Sequence, residues 1–433
     1  MSAKDGNVVS YWSRNAVPPD EYPSLAADVK ADVVIIGAGF TGLSAACHLA
    51  RHDISAIVLE AKTVGFGASG RNGGFVSSRF RYPLSMMARD HGVDVAKRMH
   101  MIGLEAVSTV ERLVAELDIS ASHFARTGSL SASHDDRSFA GLKSMIRSNR
   151  DLTGDDAWTI LDMAEIAKRT GSGRFVGGAI NGSIGVIHPL NYVRGLARGA
   201  HKMGIEIHEN TPALFVKPDR NGVLVGTAHG EVRARYAILA SNGYSDMTPA
   251  TKLVRRRVIP FQSVAIATAP IPDGLLETIL SPFSPIMVET KRLPKWFHRV
   301  GNRLLVGGRG DFSGHENPDI YKQLKKTLLD IYPQLEPVGI EFQWSGNLAV
   351  TQDRLPHIGW ASKNILYAMG YNGTGVAMSS LMGDFLARML RKQQVDLALL
   401  AGDNFENIPF YFLHGPATQI VGRYYQILDD LGR

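Results

Sequence analysis

A glycine turn between two apolar stretches constrains the fold of this chain more than any other feature. The β-branched run 32–36 predicts a strand buried on both faces, and residues 37–42 after it match the spacing G-x-G-x-x-G. Gly37 permits a tight turn, Gly39 leaves space for a pyrophosphate beside the backbone, and Gly42 lets a following helix pack close to the sheet. The turn therefore indicates a dinucleotide site.

The residues after the turn strengthen this interpretation. A helix predicted from Leu43 to about Arg51 would direct its N-terminal N–H groups and its positive dipole end toward phosphate. A second apolar run, 56–59, ends in Glu60, whose carboxylate can accept hydrogen bonds from a ribose. Glycine turns alone are common, but this order of strand, turn, helix and acidic strand end predicts a Rossmann-like unit.

Two further glycine-rich segments point to ligand binding. Residues 65–74 contain five glycines within ten positions, which lets the backbone approach a flat ligand closely. We call this segment the glycine-rich loop; Ser69, Arg71 and Asn72 add a hydroxyl, a cation and an amide to it. Residues 364–391 again read as strand, glycine turn and helix, and the N-terminus of that helix can stabilise negative charge on a ligand.

Length, composition and charge limit the classes of protein to which this chain can belong. A length of 433 residues suggests two domains, and 45% apolar with 20% charged residues is an ordinary globular balance. No apolar run approaches the ~20 residues that span a bilayer, and the first ten residues lack the apolar core of a signal peptide. With Cys47 as the single cysteine, we expect no intramolecular disulfide and a cytoplasmic location. Zinc-ligand spacing and nucleic-acid motifs are missing, so we expect no metal and no nucleic-acid partner; the net charge of +6 favours anionic substrates.

The remaining patterns predict the elements that complete the fold. Residues 1–30 are expected to form an extended surface arm anchored by Tyr11 and Trp12. Apolar periodicity predicts one or two helices over 84–118 and further helices over 191–203, 321–332 and 377–391. Strands are predicted over 236–240, 258–269, 286–300 and 303–308, with a hairpin over 213–228.

Several separated segments together resemble one protein family. They are 11–12, 32–42, 64–74, 188–191, 344–347, 354–359 and 370–376. In order and spacing they are similar to the D-amino-acid oxidase and sarcosine oxidase superfamily of FAD enzymes, and within it to the gamma-glutamylputrescine oxidases and their relatives.

The resemblance implies an α/β fold with two parts. A Rossmann-like FAD-binding domain would combine the non-contiguous segments 31–83, 150–250 and 340–433. An antiparallel-sheet substrate domain of α+β type would combine 84–149 and 251–339, and residues 1–30 would be the arm.

The resemblance also implies which residues hold FAD. The turn glycines would hold the pyrophosphate, Glu60 the ribose, Lys62 and Val216 the adenine end, and the glycine-rich loop the flavin ring. The full expected set is Gly37, Ala38, Gly39, Phe40, Thr41, Gly42, Glu60, Ala61, Lys62, Ala68, Ser69, Gly70, Arg71, Asn72, Gly73, Gly74, Val216, Asn372, Gly373, Thr374, Gly375 and Val376. Some relatives attach FAD through a histidine in the loop or a late cysteine; Arg71 occupies the loop here, so non-covalent FAD is expected.

The implied reaction is amine oxidation, in which a hydride equivalent passes from the substrate carbon to flavin N5 and the imine is hydrolysed to an aldehyde and an amine. Because the cofactor carries this chemistry, the expected residues orient and desolvate the substrate. An aromatic wall would hold the amine chain, and the candidates are Trp296, Phe297, His298 and Tyr371. A carboxylate on the substrate would meet an arginine, with Arg79, Arg299, Arg309 and Arg354 as candidates.

The electron acceptor and the substrate stay open. Relatives use a lysine to activate oxygen where this chain has Leu305, so Lys295 or Arg309 would have to replace it, or the acceptor is not oxygen. His188 is a minor candidate for substrate contact. Besides a gamma-glutamylated amine, the substrate could be an N-methyl amino acid or a D-amino acid. A nicotinamide-dependent dehydrogenase and a non-catalytic flavin-binding protein are the alternatives from other classes.

Overall fold

The computed structural model describes residues 9–310, 318–402 and 405–420. The helices are α1 Tyr11–Asn15, α2 Phe40–Ala50, α3 Leu84–His91, α4 Val93–Glu116, α5 Asp136–Thr153, α6 Met163–Thr170, α7 Pro189–Lys202, α8 Asp273–Leu276, α9 Pro318–Ile331 and α10 Gly375–Leu390. The strands are β1 Val29–Ile36, β2 Ala56–Leu59, β3 Phe75–Val76, β4 Ser129–Ser133, β5 Trp158–Leu161, β6 Gly177–Asn181, β7 Gly185–Val186, β8 Glu206–His208, β9 Phe215–Asp219, β10 Gly222–Gly226, β11 Glu231–Leu239, β12 Ile259–Thr268, β13 Ile286–Glu289, β14 Trp296–Val300, β15 Arg303–Arg309, β16 Ile340–Val350, β17 His357–Ser362 and β18 Ile365–Met369.

The first sheet has the order β17-β18-β11-β1-β2-β8, and the β9–β10 hairpin joins it beside β11. Strands β1, β2, β8, β11 and β18 run parallel. Alternate residues of β1 pack into different cores, with Val33 and Ile35 against helices α2, α7 and α10, and Val34 and Ile36 in a second cluster on the other face. Burial on both faces explains why these strands are continuously apolar.

The second sheet has the order β16-β12-β15-β14-β13-β4-β6-β5 and is antiparallel except for the β13–β4 pair. One face packs on α9, where Phe297, Leu304 and Val306 are buried. On β14 the alternation places Trp296 and His298 on the opposite face, toward the glycine-rich loop. The predicted α/β class is confirmed, with a mixed parallel sheet and a largely antiparallel sheet.

Some strands and helices pack beside neighbours that the local sequence pattern did not indicate. Strands β5, β6 and β16 belong to the second sheet, although their residues were expected in the FAD-binding segments. Helix α4 packs against α10, beside the first sheet. A strand pattern indicates the element but not its neighbour, because pairing depends on residues far along the chain. The domain boundaries themselves stay a prediction.

The structure defines the helices of two predicted regions more closely. The stretch 84–118 forms two helices, which separate at Gly92 because its backbone adopts φ 95°. In the N-terminal arm, α1 interrupts the expected extended chain and buries Trp12 to 1% exposure; residues 1–8 lie outside the described part. Among the described residues, no helix combines the length and the apolar character that crossing a membrane requires.

Candidate active site

A cavity of about 920 Å³ lies where the two sheets meet. It is bounded by the turn after β1, by the glycine-rich loop, by the cavity-facing side of the second sheet and by the start of α10. Its volume falls in the upper range for small-molecule sites, and its walls combine backbone, aromatic and charged groups.

Most of the predicted site residues line this cavity. They are Gly37, Ala38, Gly39, Phe40, Thr41, Glu60, Ala61, Lys62, Ala68, Ser69, Arg71, Asn72, Gly73, Trp296, Tyr371, Gly373, Thr374, Gly375 and Val376. The predicted residues outside the lining are Gly42, Gly70, Gly74, Val216, His298 and Asn372. Val216 lies within the β9–β10 hairpin, and the nearby residues Pro212 and Ala213 line the cavity instead.

The glycine turn brings the backbone within reach of a pyrophosphate. A Cβ on Gly42 would lie 2.0 Å from the Gly37 carbonyl oxygen, so only glycine permits this contact between helix and turn. Helix α2 begins after Gly39 without a side-chain cap. The Phe40 N–H instead donates to Ser69 Oγ at 3.0 Å, which joins the turn to the glycine-rich loop.

Glu60 is held by backbone donors from both sides. Its Oε2 accepts from the Ala38 N–H and its Oε1 from the Lys62 N–H, each at 2.9 Å. Burial raises the pKa of this carboxyl, and the two backbone N–H groups oppose the rise. The carboxylate therefore stands at the end of β2, fixed beside the turn, where a ribose hydroxyl would donate to it.

The aromatic candidates have different positions. The Trp296 ring lies over the glycine-rich loop, 3.3 Å from where a Gly73 Cβ would stand, and makes an edge contact with Phe75 at 5.4 Å. Tyr371 shares a 2.7 Å hydrogen bond between its hydroxyl and Thr41 Oγ1, next to the glycine turn. Trp296, Phe75 and Tyr371 all line the cavity, and the pair Trp296 and Phe75 forms an aromatic wall beside the glycine-rich loop.

The other two aromatic candidates point elsewhere. His298 lies behind the glycine-rich loop, where its Nδ1–H donates to the Gly73 carbonyl oxygen at 2.8 Å. Phe297 is fully buried against Tyr332 in the core beside α9. Neither side chain lines the cavity.

Two arginines line the part of the cavity next to the second sheet. Arg79 and Arg81 are surrounded by protein, yet both expose their side chains to the open volume of the cavity. Burial lowers the pKa of Arg79; burial and the charges of Arg309 and Arg79 lower that of Arg81 to about 10. Neither forms an ion pair with a carboxylate in the described part of the chain, and Arg79 stacks over Trp158 at 5.2 Å.

Arg79 was among the arginines predicted from the sequence, whereas Arg81 was not. The sequence does contain a signal for Arg81. It lies two residues after Arg79, and side chains two residues apart lie on the same face of an extended segment. Of the other candidates, Arg299 donates to the carbonyl oxygens of Leu276 and Leu280, away from the cavity. Arg354 is also outside the cavity lining.

Neither candidate for oxygen activation, Lys295 or Arg309, lines the cavity. Leu305, which stands where relatives have the lysine, is fully buried. The Lys295 stem packs over Gly308, on the side of the strand opposite to Gly307 and Trp296. Lys291 does line the cavity, but its ammonium lies 3.6 Å from the carboxylate of Glu289, which is also bound by His134.

The arrangement fits the pyrophosphate, the ribose and the flavin ring of FAD. The glycine turn and the uncapped α2 offer N–H groups to a pyrophosphate, Glu60 offers acceptors to a ribose, and the glycine-rich loop offers a flat backbone surface to a ring. The start of α10 lacks a side-chain cap and lies at the cavity, where it can stabilise negative charge on the reduced ring. Cys47 is buried inside α2 and its Sγ donates to the Leu196 carbonyl oxygen, and non-covalent binding stays a prediction.

His188, a candidate for substrate contact, caps α7 and lies outside the cavity lining. Its Nδ1 accepts from the Asn191 N–H at 3.2 Å, and burial lowers its pKa to about 4. The folded protein therefore keeps His188 neutral at a pH where the unfolded chain binds a proton, so stability is lost as pH falls from about 6.5 toward 4.

We expect His188→Asn to keep the cap and to remove this proton uptake. Between pH 6 and 4.5 the free energy of unfolding of the wild-type protein should fall more steeply than that of the variant, by up to about 1.4 kcal/mol per pH unit. Urea unfolding of both apoproteins across this range measures the difference. Parallel curves would contradict the assignment.

Comparison with known proteins places this geometry in a family. The family model described as "DAO: FAD dependent oxidoreductase" matches residues 32–389. The chain is 30% identical over 426 residues to the probable oxidoreductase OrdL of Haemophilus influenzae, with coverage of 98% of this chain and 97% of the relative. It is 30% identical over 430 residues to the gamma-glutamylputrescine oxidoreductase of Escherichia coli, with coverage of 98% of each.

Solved structures share the fold. Glycine oxidase from Geobacillus kaustophilus superimposes with a TM-score of 0.74 at 19% identity and covers 88% of this chain and 99% of its own. An L-amino acid deaminase from Proteus vulgaris gives a TM-score of 0.72 at 18% identity, over 90% and 97%. Since the family model spans the glycine turn, the glycine-rich loop and most of the helix that together enclose the cavity, the chain belongs to the DAO family of FAD-dependent oxidoreductases.

Proposed function

We propose that this enzyme oxidises a primary or secondary amine that carries a carboxylate away from the reacting carbon, a gamma-glutamylated amine such as gamma-glutamylputrescine. The product is an imine, which water hydrolyses to an aldehyde and an amine. The observation that carries the proposal is the pair Arg79 and Arg81, two cations without carboxylate partners among the described residues, on the wall of the FAD cavity. The Escherichia coli relative, similar along nearly its whole length, is named for this substrate.

The aromatic wall supports an amine with an apolar chain. Trp296 and Phe75 meet edge to face at 5.4 Å beside the glycine-rich loop, so methylene groups of the substrate would pack on their rings. Packing there displaces water from the amine and disfavours its charged form. FAD, when bound, supplies the acceptor for two electrons and a proton; these side chains hold the neutral amine in position.

The arginines would fix the far end of the substrate. The Arg79 guanidinium lies over the Trp158 ring, 5.2 Å from its centroid, and this contact helps to hold it in place. Arg81 donates from Nε to the Asn372 carbonyl oxygen at 3.3 Å and keeps its terminal nitrogens for other acceptors. A carboxylate received by Arg79 would form charge-assisted hydrogen bonds with a guanidinium that has no carboxylate partner among the described residues.

An N-methyl amino acid or a D-amino acid is the second candidate substrate, since its carboxylate would also suit Arg79. The chain shares its fold with glycine oxidase, so we keep an amino acid as the second candidate substrate. Oxygen or another oxidant would reoxidise FAD, and hydrogen peroxide is the product if oxygen does so. We also propose a cytoplasmic location, because the single cysteine is buried and unpaired.

The decisive experiment exposes the FAD-loaded protein to amines without oxygen and follows the visible flavin band. We expect gamma-glutamylputrescine to bleach the band at least tenfold faster than sarcosine or D-alanine at equal concentration. Putrescine, which lacks the glutamyl carboxylate, is the matched control and should react slowly. Faster bleaching by sarcosine or D-alanine would favour an N-methyl amino acid or a D-amino acid as the substrate. If none of these amines bleached the flavin band, the proposed amine oxidation would be refuted.

A further inference from the structure

Three successive carbonyl groups of the glycine-rich loop accept hydrogen bonds from ring N–H donors. Trp344 Nε1–H donates to the Arg71 carbonyl oxygen at 2.9 Å, and Trp12 Nε1–H donates to that of Asn72 at 2.8 Å. The Nδ1–H of His298 donates to the Gly73 carbonyl oxygen at 2.8 Å. A carbonyl oxygen only accepts, so Nδ1 of His298 carries the proton. We call these three side chains the ring clamp.

The ring clamp joins distant parts of the chain. Trp12 lies in α1, His298 in β14 and Trp344 in β16, and each side chain is at least 95% buried. The Trp12 ring also contacts the His298 ring, with a centroid separation of 6.0 Å. Buried donors without acceptors are costly, so the loop carbonyls and the ring donors satisfy each other.

The geometry of the peptide bond determines where the N–H groups of the glycine-rich loop point. In a trans peptide the N–H of each residue points opposite to the carbonyl of the residue before it, and the described chain has no cis peptide. The clamped carbonyls therefore turn the N–H groups of Asn72, Gly73 and Gly74 away from the ring donors. The Gly74 N–H donates to Asn72 Oδ1 at 2.8 Å. Within the described residues, the N–H groups of Asn72 and Gly73 have no hydrogen-bond partner, and both residues line the cavity.

We propose that Trp12, Trp344 and His298 are positioning residues that aim the Asn72 and Gly73 N–H groups at an acceptor edge of the FAD ring system. The flavin ring offers carbonyl oxygens and ring nitrogens as acceptors for these N–H groups. The N-terminal arm thereby becomes part of the cofactor site through Trp12. The inference rests on the FAD cofactor of the family and is independent of the proposed substrate.

Single-atom replacement tests the ring clamp. Trp12→Phe and Trp344→Phe each remove one ring N–H, and Trp12→benzothienylalanine replaces the N–H by sulfur while the ring outline stays the same. We expect each change to raise the Kd of the apoprotein for FAD about fivefold, or about 1 kcal/mol, and to shift the visible flavin absorption band. Fluorescence titration gives the Kd, and thermal melting of the apoprotein reports the fold.

Trp360→Phe is the matched control, because Trp360 is 43% exposed in β17 and lies outside the cavity lining. It should leave the Kd and the band unchanged. The proposal is overturned if the Trp12→benzothienylalanine protein binds FAD within twofold of wild type with an unshifted band, whatever its melting temperature. A failure of every amine to reduce the enzyme would refute the proposed function but leave this measurement intact.

Discussion

Gly42→Val is expected to abolish stable FAD binding, with a Kd at least 100-fold higher than that of the wild-type protein. A Cβ at this position would stand 2.0 Å from the Gly37 carbonyl oxygen and 3.1 Å from Ile35 Cγ2, so α2 and the turn must separate. The displaced groups are the backbone donors that would meet the pyrophosphate. Overpacking typically costs about 1–3 kcal/mol, and a 100-fold loss corresponds to about 2.7 kcal/mol.

FAD content after purification and a titration of the apoprotein measure the effect. Gly173→Val is the control, because no other group lies within 4 Å of the position that its Cβ would take. The control should retain FAD at wild-type affinity. A yellow Gly42→Val protein with unchanged Kd would show that the turn does not hold the cofactor.

Arg79→Gln is expected to raise the KM for a carboxylate-bearing amine about 50-fold, with little change in kcat. Hydrogen bonds to a charged group contribute about 1.5–3 kcal/mol, and 50-fold corresponds to about 2.3 kcal/mol. The carboxylate is remote from the reacting carbon, so its binding is equal in the ground and transition states and affects KM alone. Glutamine keeps an N–H donor but loses the charge and the reach of the guanidinium.

Two comparisons sharpen this experiment. Arg147→Gln removes an exposed arginine from α5 and should leave the KM unchanged. With an amine that lacks the carboxylate, wild-type and Arg79→Gln enzymes should have the same KM within about twofold. An equal loss with both amines would mean that Arg79 supports the cavity wall and does not receive a carboxylate.

Short motifs were predictable because their chemistry is local. The strand at 32–36, the glycine turn and Glu60 follow one another within thirty residues, and backbone sterics alone dictate where glycine must stand. The glycine-rich loop and the turn before α10 were found for the same reason. These segments led to the FAD family, and most of their residues line the cavity.

The substrate side of the cavity was harder to predict. Trp296 was found at its wall, whereas Phe297 and Arg299 point away because side chains alternate along β14. Arg81 was missed, and His298 proved to bind the loop from behind. A strand pattern alone does not reveal which of its two faces lines a site.

The sequence by itself determined the dinucleotide-binding turn, the acidic strand end and the glycine-rich loop, since each depends on neighbours within a few residues. Only the tertiary structure decided what surrounds that loop. Trp12 reaches Asn72 across 60 positions and Trp344 reaches Arg71 across 273. Such pairs are selected by packing and by the need to satisfy buried donors, and neither requirement leaves a periodic signal in the chain.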